Sequence, residues 1–394
     1  MTDLITLEGD YGYEAFKISG ISSTEIDASE AHWIVANIGD ELNRYPFSVR
    51  DSSDIIMTGG TIDGEVPLDL DWEDAYVNSA AVYSRNVDDV VIQDWTISQA
   101  WDAIRVRGDD GDEFTIDHVW LTDVRDDAVE NDDGLNGTIS NSLFDGVFVG
   151  LSLGDSGTTD QTDNLVTLDN VLIRMKSFEY KGELTHQSIF KVIDNISPAL
   201  SIHDCVSAIE DVDHAGQGRL EIAWDSVVSS SNNYFLNLSD DPLPDDYLMP
   251  PDGFTVLQGQ EARDFWESAR DDWLAEFEDG ALDEVEDPVD PDTPADDETQ
   301  QPTDSQDPAS EGTGSPVETT GTTDETGTDQ PVGDPPPEEP TGSGGDTGNG
   351  TGSSTSGGDW LKRKWLITLV TRLFARCRLC ENLNWSKRSR ASPR

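Results

Sequence analysis

Positive charge is what this chain most lacks. Its 394 residues hold 24 Lys and Arg against 81 Asp and Glu, a formal net charge of −57. Such a surface repels nucleic acid phosphates and anionic lipid head groups, which argues against nucleic-acid binding and against membrane docking by the main body. Cysteine is also scarce: Cys205 stands alone and Cys377 and Cys380 form one C-x-x-C. A disulfide framework is excluded, and a zinc site has neither a second pair nor histidines at ligand spacing. No apolar run reaches the length of a bilayer span. The opening Met1-Thr2-Asp3-Leu4-Ile5 carries no basic and apolar segments of a conventional signal peptide. Extreme acidity with few lysines suits a chain kept soluble in high salt or outside the cell, so an extracellular or cell-surface monomer is expected.

Composition divides the chain. Residues 279–358 hold 21 acidic residues, no basic residue and no Phe, Trp or Tyr. A segment of this kind buries too little apolar area to offset its chain entropy, and it reads as a disordered acidic linker. Residues 359–394 turn basic and apolar, with ten Lys or Arg against two acids. Two readings of that tail stay open: an amphipathic helix for a membrane or partner, and out-of-frame or fused sequence.

Residues 1–278 contain an internal repeat. Two apolar residues five apart recur in Met57–Ile62, Ile92–Ile97, Ile116–Leu121, Ile139–Phe144 and Leu168–Ile173, at steps of 35, 24, 23 and 29. A second element, an Asp and a small residue before a short alternating run, follows three of them at Asp102-Ala103, Asp127-Ala128 and Asp145-Gly146. A period in the twenties with short strands and polar turns indicates a solenoid. The expected fold is all-β, a single-stranded right-handed parallel β-helix over residues 49–278, with a β-sandwich as the alternative. Residues 1–48 are expected to form a cap or opening coil. Apolar residues at helical spacing from Gln258 to Asp279 predict a C-terminal capping helix.

Residues 50–240 resemble the right-handed parallel β-helix proteins of the pectate-lyase-like superfamily. Within it, the polygalacturonase family carries an Asn-Thr-Asp, an Asp-Asp one coil on, a Gly-His-Gly, and a late Arg-x-Lys. This chain offers Asp102, Asp126-Asp127, Gly146-Val147-Phe148-Val149-Gly150 and Arg174-Met175-Lys176. The histidine is missing, with Phe148 near its place. The resemblance implies a polysaccharide or glycan partner, with Asp102, Asp126 and Asp127 as acid–base residues and Arg174 and Lys176 holding the sugar.

Stacked strands lie about 4.8 Å apart. Carboxylates on neighbouring coils would therefore stand close enough to force one to keep its proton, as glycoside hydrolysis requires. The competing reading makes Asp102, Asp127 and Asp145 turn residues that bond nearby backbone N–H groups. Asp126 escapes it, since Trp101 and Phe144 hold its slot in the other units. Strand alternation points Ile104, Val106 and Val129 inward and Arg105 and Arg107 outward, with Glu130 and Asp132 beside them. That row reads as either a sugar-binding strip or a surface ion-pair ladder. The alternative to a polysaccharide-binding and polysaccharide-cleaving protein is a non-catalytic surface or adhesive scaffold, and a lyase is a further one, with calcium as the candidate bridging ion and Asp109, Asp110 and Asp112 as an oxygen-rich turn.

Overall fold

The computed structural model describes residues 2–35, 44–76, 79–109, 111–154 and 159–280. The linker 279–358, beyond Gly280, and the tail 359–394 lie outside the described residues. Within them the chain is all-β, with few helices: α1 (Trp72–Ala75), α2 (Gln217–Asp225) and α3 (Gln260–Gly280). Twenty strands join one sheet whose ladders are all parallel, and one antiparallel hairpin, Phe178–Tyr180 with Glu183–Thr185, stands apart. The arrangement is β-helix-like, because each strand bonds to the strand one repeat further along the chain.

The five-residue repeat is the register of these ladders. Ile26 lies opposite Met57, Met57 opposite Ile92, Ile92 opposite Ile116, Ile116 opposite Ile139 and Ile139 opposite Leu168. The second member of each unit forms its own row, Ile62, Ile97, Leu121, Phe144 and Ile173. Every one of these side chains is buried in a single core. At about 25 cal/mol per Å² of apolar surface removed from water, such rows supply most of the drive to coil. Parallel pairing already begins at Asp3, where Ile5 faces Ile26. The described part of residues 1–48 therefore contributes strands of the same kind.

Residues five apart on one straight strand would face opposite sides. A corner resolves this. The third residue of each unit takes a left-handed conformation: Gly59 (φ 66°), Asp94 (62°), His118 (55°), Asn141 (46°) and Asn170 (58°). Gly, Asn and Asp tolerate that region best. The bend reverses the facing of the chain, so both apolar residues enter the core. Side chains at the corner bond along the stack, Asn141 Nδ2 to Asp117 Oδ1 at 2.9 Å and Asn170 Nδ2 to Asn141 Oδ1 at 3.0 Å.

Helix α3 packs along the flank. Its Ala262, Trp266, Ala269 and Trp273 build a second apolar cluster with Leu143, Leu172, Val206 and Leu236. Trp273 Nε1 donates to the Asn141 carbonyl at 3.0 Å, and Trp120 meets Phe277 edge-on. Trp95 lies wholly in the main core.

Candidate functional site

The strands Asp102–Arg107 and Trp120–Asn131 pair with Ile104 opposite Val129 and Arg105 opposite Glu130. That offset sets Asp102 beside Asp127, and the Asp127 N–H donates to Asp102 Oδ1 at 3.2 Å. Carboxylate oxygens of Asp102, Asp127 and Glu130 all lie within 4.8 Å of one another. The three residues are buried, at 3%, 2% and 8% exposure.

Two cations close the group. Lys191 Nζ donates to both oxygens of Asp127, at 2.8 and 2.7 Å. Arg105 lies 2.8 Å from Glu130 through Nε, an ion pair poorly angled for a hydrogen bond, and donates to Asp132 at 3.3 Å. Burial, then the Asp127 charge, pushes the Asp102 carboxyl up to about 7. Burial, then the Asp102 charge, holds Glu130 well above the usual carboxylate range. Burial also lifts Asp127, but Lys191 pulls it back, and the two short contacts make it the ionised member of the group. For Lys191, burial opposes the charge while Asp127 and Asp126 outweigh it, so its pKa rises.

Asp126 owes its distinct character to a bulge. The register slips between Val124, opposite Val147, and Asp127, opposite Val149, so two residues face Phe148 alone. Bulges re-aim side chains. Asp126 is half-buried beside the carboxylate group, and burial, then Asp127, raises its pKa well above the usual range. Arg125, which no sequence pattern marks, is fully buried and lies over Phe178, Phe148 and Trp101 at 5.2–5.9 Å. It donates to the carbonyls of Leu70 and Glu179, tying the loop before α1 and the hairpin strand Phe178–Tyr180 over this face.

Several expectations need correction. Asp145 does not share the slot of Asp102 and Asp127. It lies opposite Thr122 and Arg174, and Phe148 rather than Phe144 stands opposite the bulge that carries Asp126. The Arg105 side chain is not presented outward to solvent but is covered, because it neutralises the buried carboxylates. Arg107 pairs with Asp133 at 2.8 and 3.0 Å, and it is Arg105 that takes Asp132. Arg174 engages Asp145 at 2.5 Å and Glu210, and Lys176 engages Asp123 at 2.5 Å. Neither is paired with the carboxylate group among the described residues. Besides Arg105, the cation that joins it is Lys191, 64 positions from Asp127.

Calcium takes six to eight oxygens at about 2.3–2.6 Å. An ammonium already engages Asp127, a guanidinium lies against Glu130, and Asp102 accepts the Asp127 N–H, so the group does not suit it. In the other acidic turn, Asp112 Oδ2 accepts from the Asp109 N–H at 2.9 Å, a turn-closing contact, and Asp110 lies outside the described residues. Among the described residues no helix is long and apolar enough to cross a membrane.

No family model matches the chain, and no curated protein is similar to it. Among solved structures, the surface protein and adhesin PfbA of Streptococcus pneumoniae is similar with a TM-score of 0.37 and 14% identity. The match covers 65% of this chain and 80% of that one, a likeness too slight to argue from.

Proposed function

We propose that the protein is a non-catalytic scaffold of the extracellular space or cell surface, built as a right-handed parallel β-helix similar to the pectate-lyase-like proteins. The burial of Asp102, Asp127 and Glu130 behind Lys191 and Arg105 carries this reading. A glycosidase needs its carboxyls open to the sugar, one free to protonate the leaving oxygen. Here they are covered, with Asp127 and Glu130 held in internal ion pairs and Asp102 accepting the Asp127 N–H. Partners would meet the outer faces of the stack instead. The test is incubation of the full chain with neutral and acidic polysaccharides, with and without calcium, assayed for reducing ends and unsaturated products. No product is expected.

One observation favours polysaccharide cleavage as a second reading. Asp102, lifted to about 7, keeps a proton near neutrality beside an ionised Asp127, and Asp126 is only half-buried. If product appears and Asp126→Asn lowers the rate by about a hundredfold or more, as loss of a general acid or base does, this reading replaces the first.

A further inference from the structure

A groove of about 660 Å³ runs between α3 and the strand ends beside it. That volume is typical of small-molecule sites, which span about 300–1,000 Å³. Arg263, Trp266, Glu267 and Arg270 of α3 line one side, at the i, i+3, i+4 and i+7 spacing of a single helix face. Arg174, Glu210 and Asp240 line the other. Residues 1–358 contain only ten arginines, and three of them meet here.

Two donors in this lining have no hydrogen bond. Trp266 is 3% exposed, yet its Nε1 has no partner. Arg270 Nε is buried without one, its nearest carboxylate oxygen, Asp145 Oδ2, lying 3.8 Å away. An unmatched buried donor carries an uncompensated desolvation cost, which a ligand oxygen would recover. By contrast Arg174 is pinned by Asp145 and Glu210, and Arg263 donates to the Leu238 carbonyl at 2.8 Å. These two give the groove rigid walls.

The distribution of charge selects the ligand. Guanidiniums alternate with the carboxylates of Glu210, Asp240 and Glu267, so a compact anion would meet as much repulsion as attraction. A zwitterion would need the two signs on separate sides. Alternating donors and acceptors match a ring of hydroxyls, each of which gives one hydrogen bond and accepts others. We propose that this groove binds a neutral saccharide, independently of whether the buried carboxylates cleave anything.

The test uses the full chain labelled with ¹⁵N-tryptophan, the Trp266 indole signal being assigned with Trp266→Phe. Cellotriose, xylotriose, mannotriose and maltotriose are titrated, with trigalacturonate as the anionic arm and glycylglycine as the zwitterionic one. At least one neutral trisaccharide should shift the Trp266 signal saturably. Arg270→Ala should weaken that binding about tenfold, the loss of a charge-assisted hydrogen bond. Exposed Glu267→Gln, which leaves packing untouched, should weaken it several-fold, and Glu8→Gln on another face should not change it. The proposal fails if no neutral trisaccharide moves the signal, if both groove variants bind as tightly as the parent, or if trigalacturonate or glycylglycine binds more tightly.

Discussion

Two buried polar groups solve the problem of burial in opposite ways. Around Asp102 the protein buries charge and cancels it, with Lys191 on Asp127 and Arg105 between Glu130 and Asp132. Around His186 it buries neutral rings and occupies every nitrogen. His186 stacks on His214 with centroids 4.9 Å apart. Its Nδ1 donates to the Gln187 carbonyl at 2.6 Å, and its Nε2 accepts the Asp211 N–H at 3.1 Å. His214 Nδ1 donates to the Ala215 carbonyl, and Tyr247 faces its Nε2 at 3.1 Å. Burial, then His214, lowers His186 to about 3, and burial lowers His214. The first group depends on ions meeting ions, the second on no ion forming.

Removing one ion should do the most damage. Lys191→Met leaves Asp127 buried without its counter-charge, and breaking a buried pair costs about 3–5 kcal/mol. Denaturant unfolding should show that loss, and Lys191→Met with Asp127→Asn should recover much of it. Recovery of nothing would mean that Lys191 acts through packing alone.

The pH dependence sharpens the contrast. Asp102 titrates near 7 when folded and near 3.8 when unfolded, so its contribution is full below about 3.8 and is lost as pH rises through about 7. His186 titrates near 3 when folded and near 6.5 when unfolded, so its contribution is full above about 6.5 and is lost as pH falls through about 3. Between about 4 and 6.5 the slopes oppose. Asp102→Asn should make stability rise more steeply with pH across that window, and His186→Gln should make it fall. Denaturation midpoints measured from pH 4 to 7 would check both, and parallel profiles for the two variants would refute the opposition.

Smaller effects separate backbone from charge. Asn141 holds a left-handed corner, where a side chain with a Cβ and no local hydrogen bond is strained by about 1–2 kcal/mol. Asn141→Ala should therefore be about 1 kcal/mol less stable than Asn141→Gly, although both lose the bond to Asp117. Arg107 and Asp133, each partly exposed, form the weakest test. Arg107→Ala should cost about 1 kcal/mol or less, and added salt should shrink the difference.

The sequence carried the core rows plainly, because Met57, Ile92, Ile116, Ile139 and Leu168 must all be apolar to stack. It also carried the pairing of Asp102 with Asp127, one repeat apart. It hid what depends on backbone irregularity. Asp145 falls opposite Thr122, four positions before the Val149 that faces Asp127, so an Asp followed by a small residue does not mark one slot, and the bulge at Arg125 and Asp126 leaves no pattern of its own. It hid long-range partners as well: Lys191 carries no local mark of its bond to Asp127, and Arg125 reads as any exposed arginine. Helix α3 was legible as a helix, but the groove beneath it depends on which strand ends it meets.

The corner row at Asp94, His118, Asn141 and Asn170 has a consequence for how this chain tolerates change. Each corner fixes the short stretch between its two core residues, while the remainder of each turn varies, so that successive steps of 35, 24, 23 and 29 residues feed the same rows. Length is therefore constrained at one edge of the stack and free elsewhere. Segments inserted away from the corners lengthen what the surface displays without moving a core side chain, which leaves the outer loops open to diversify while the interior stays constant.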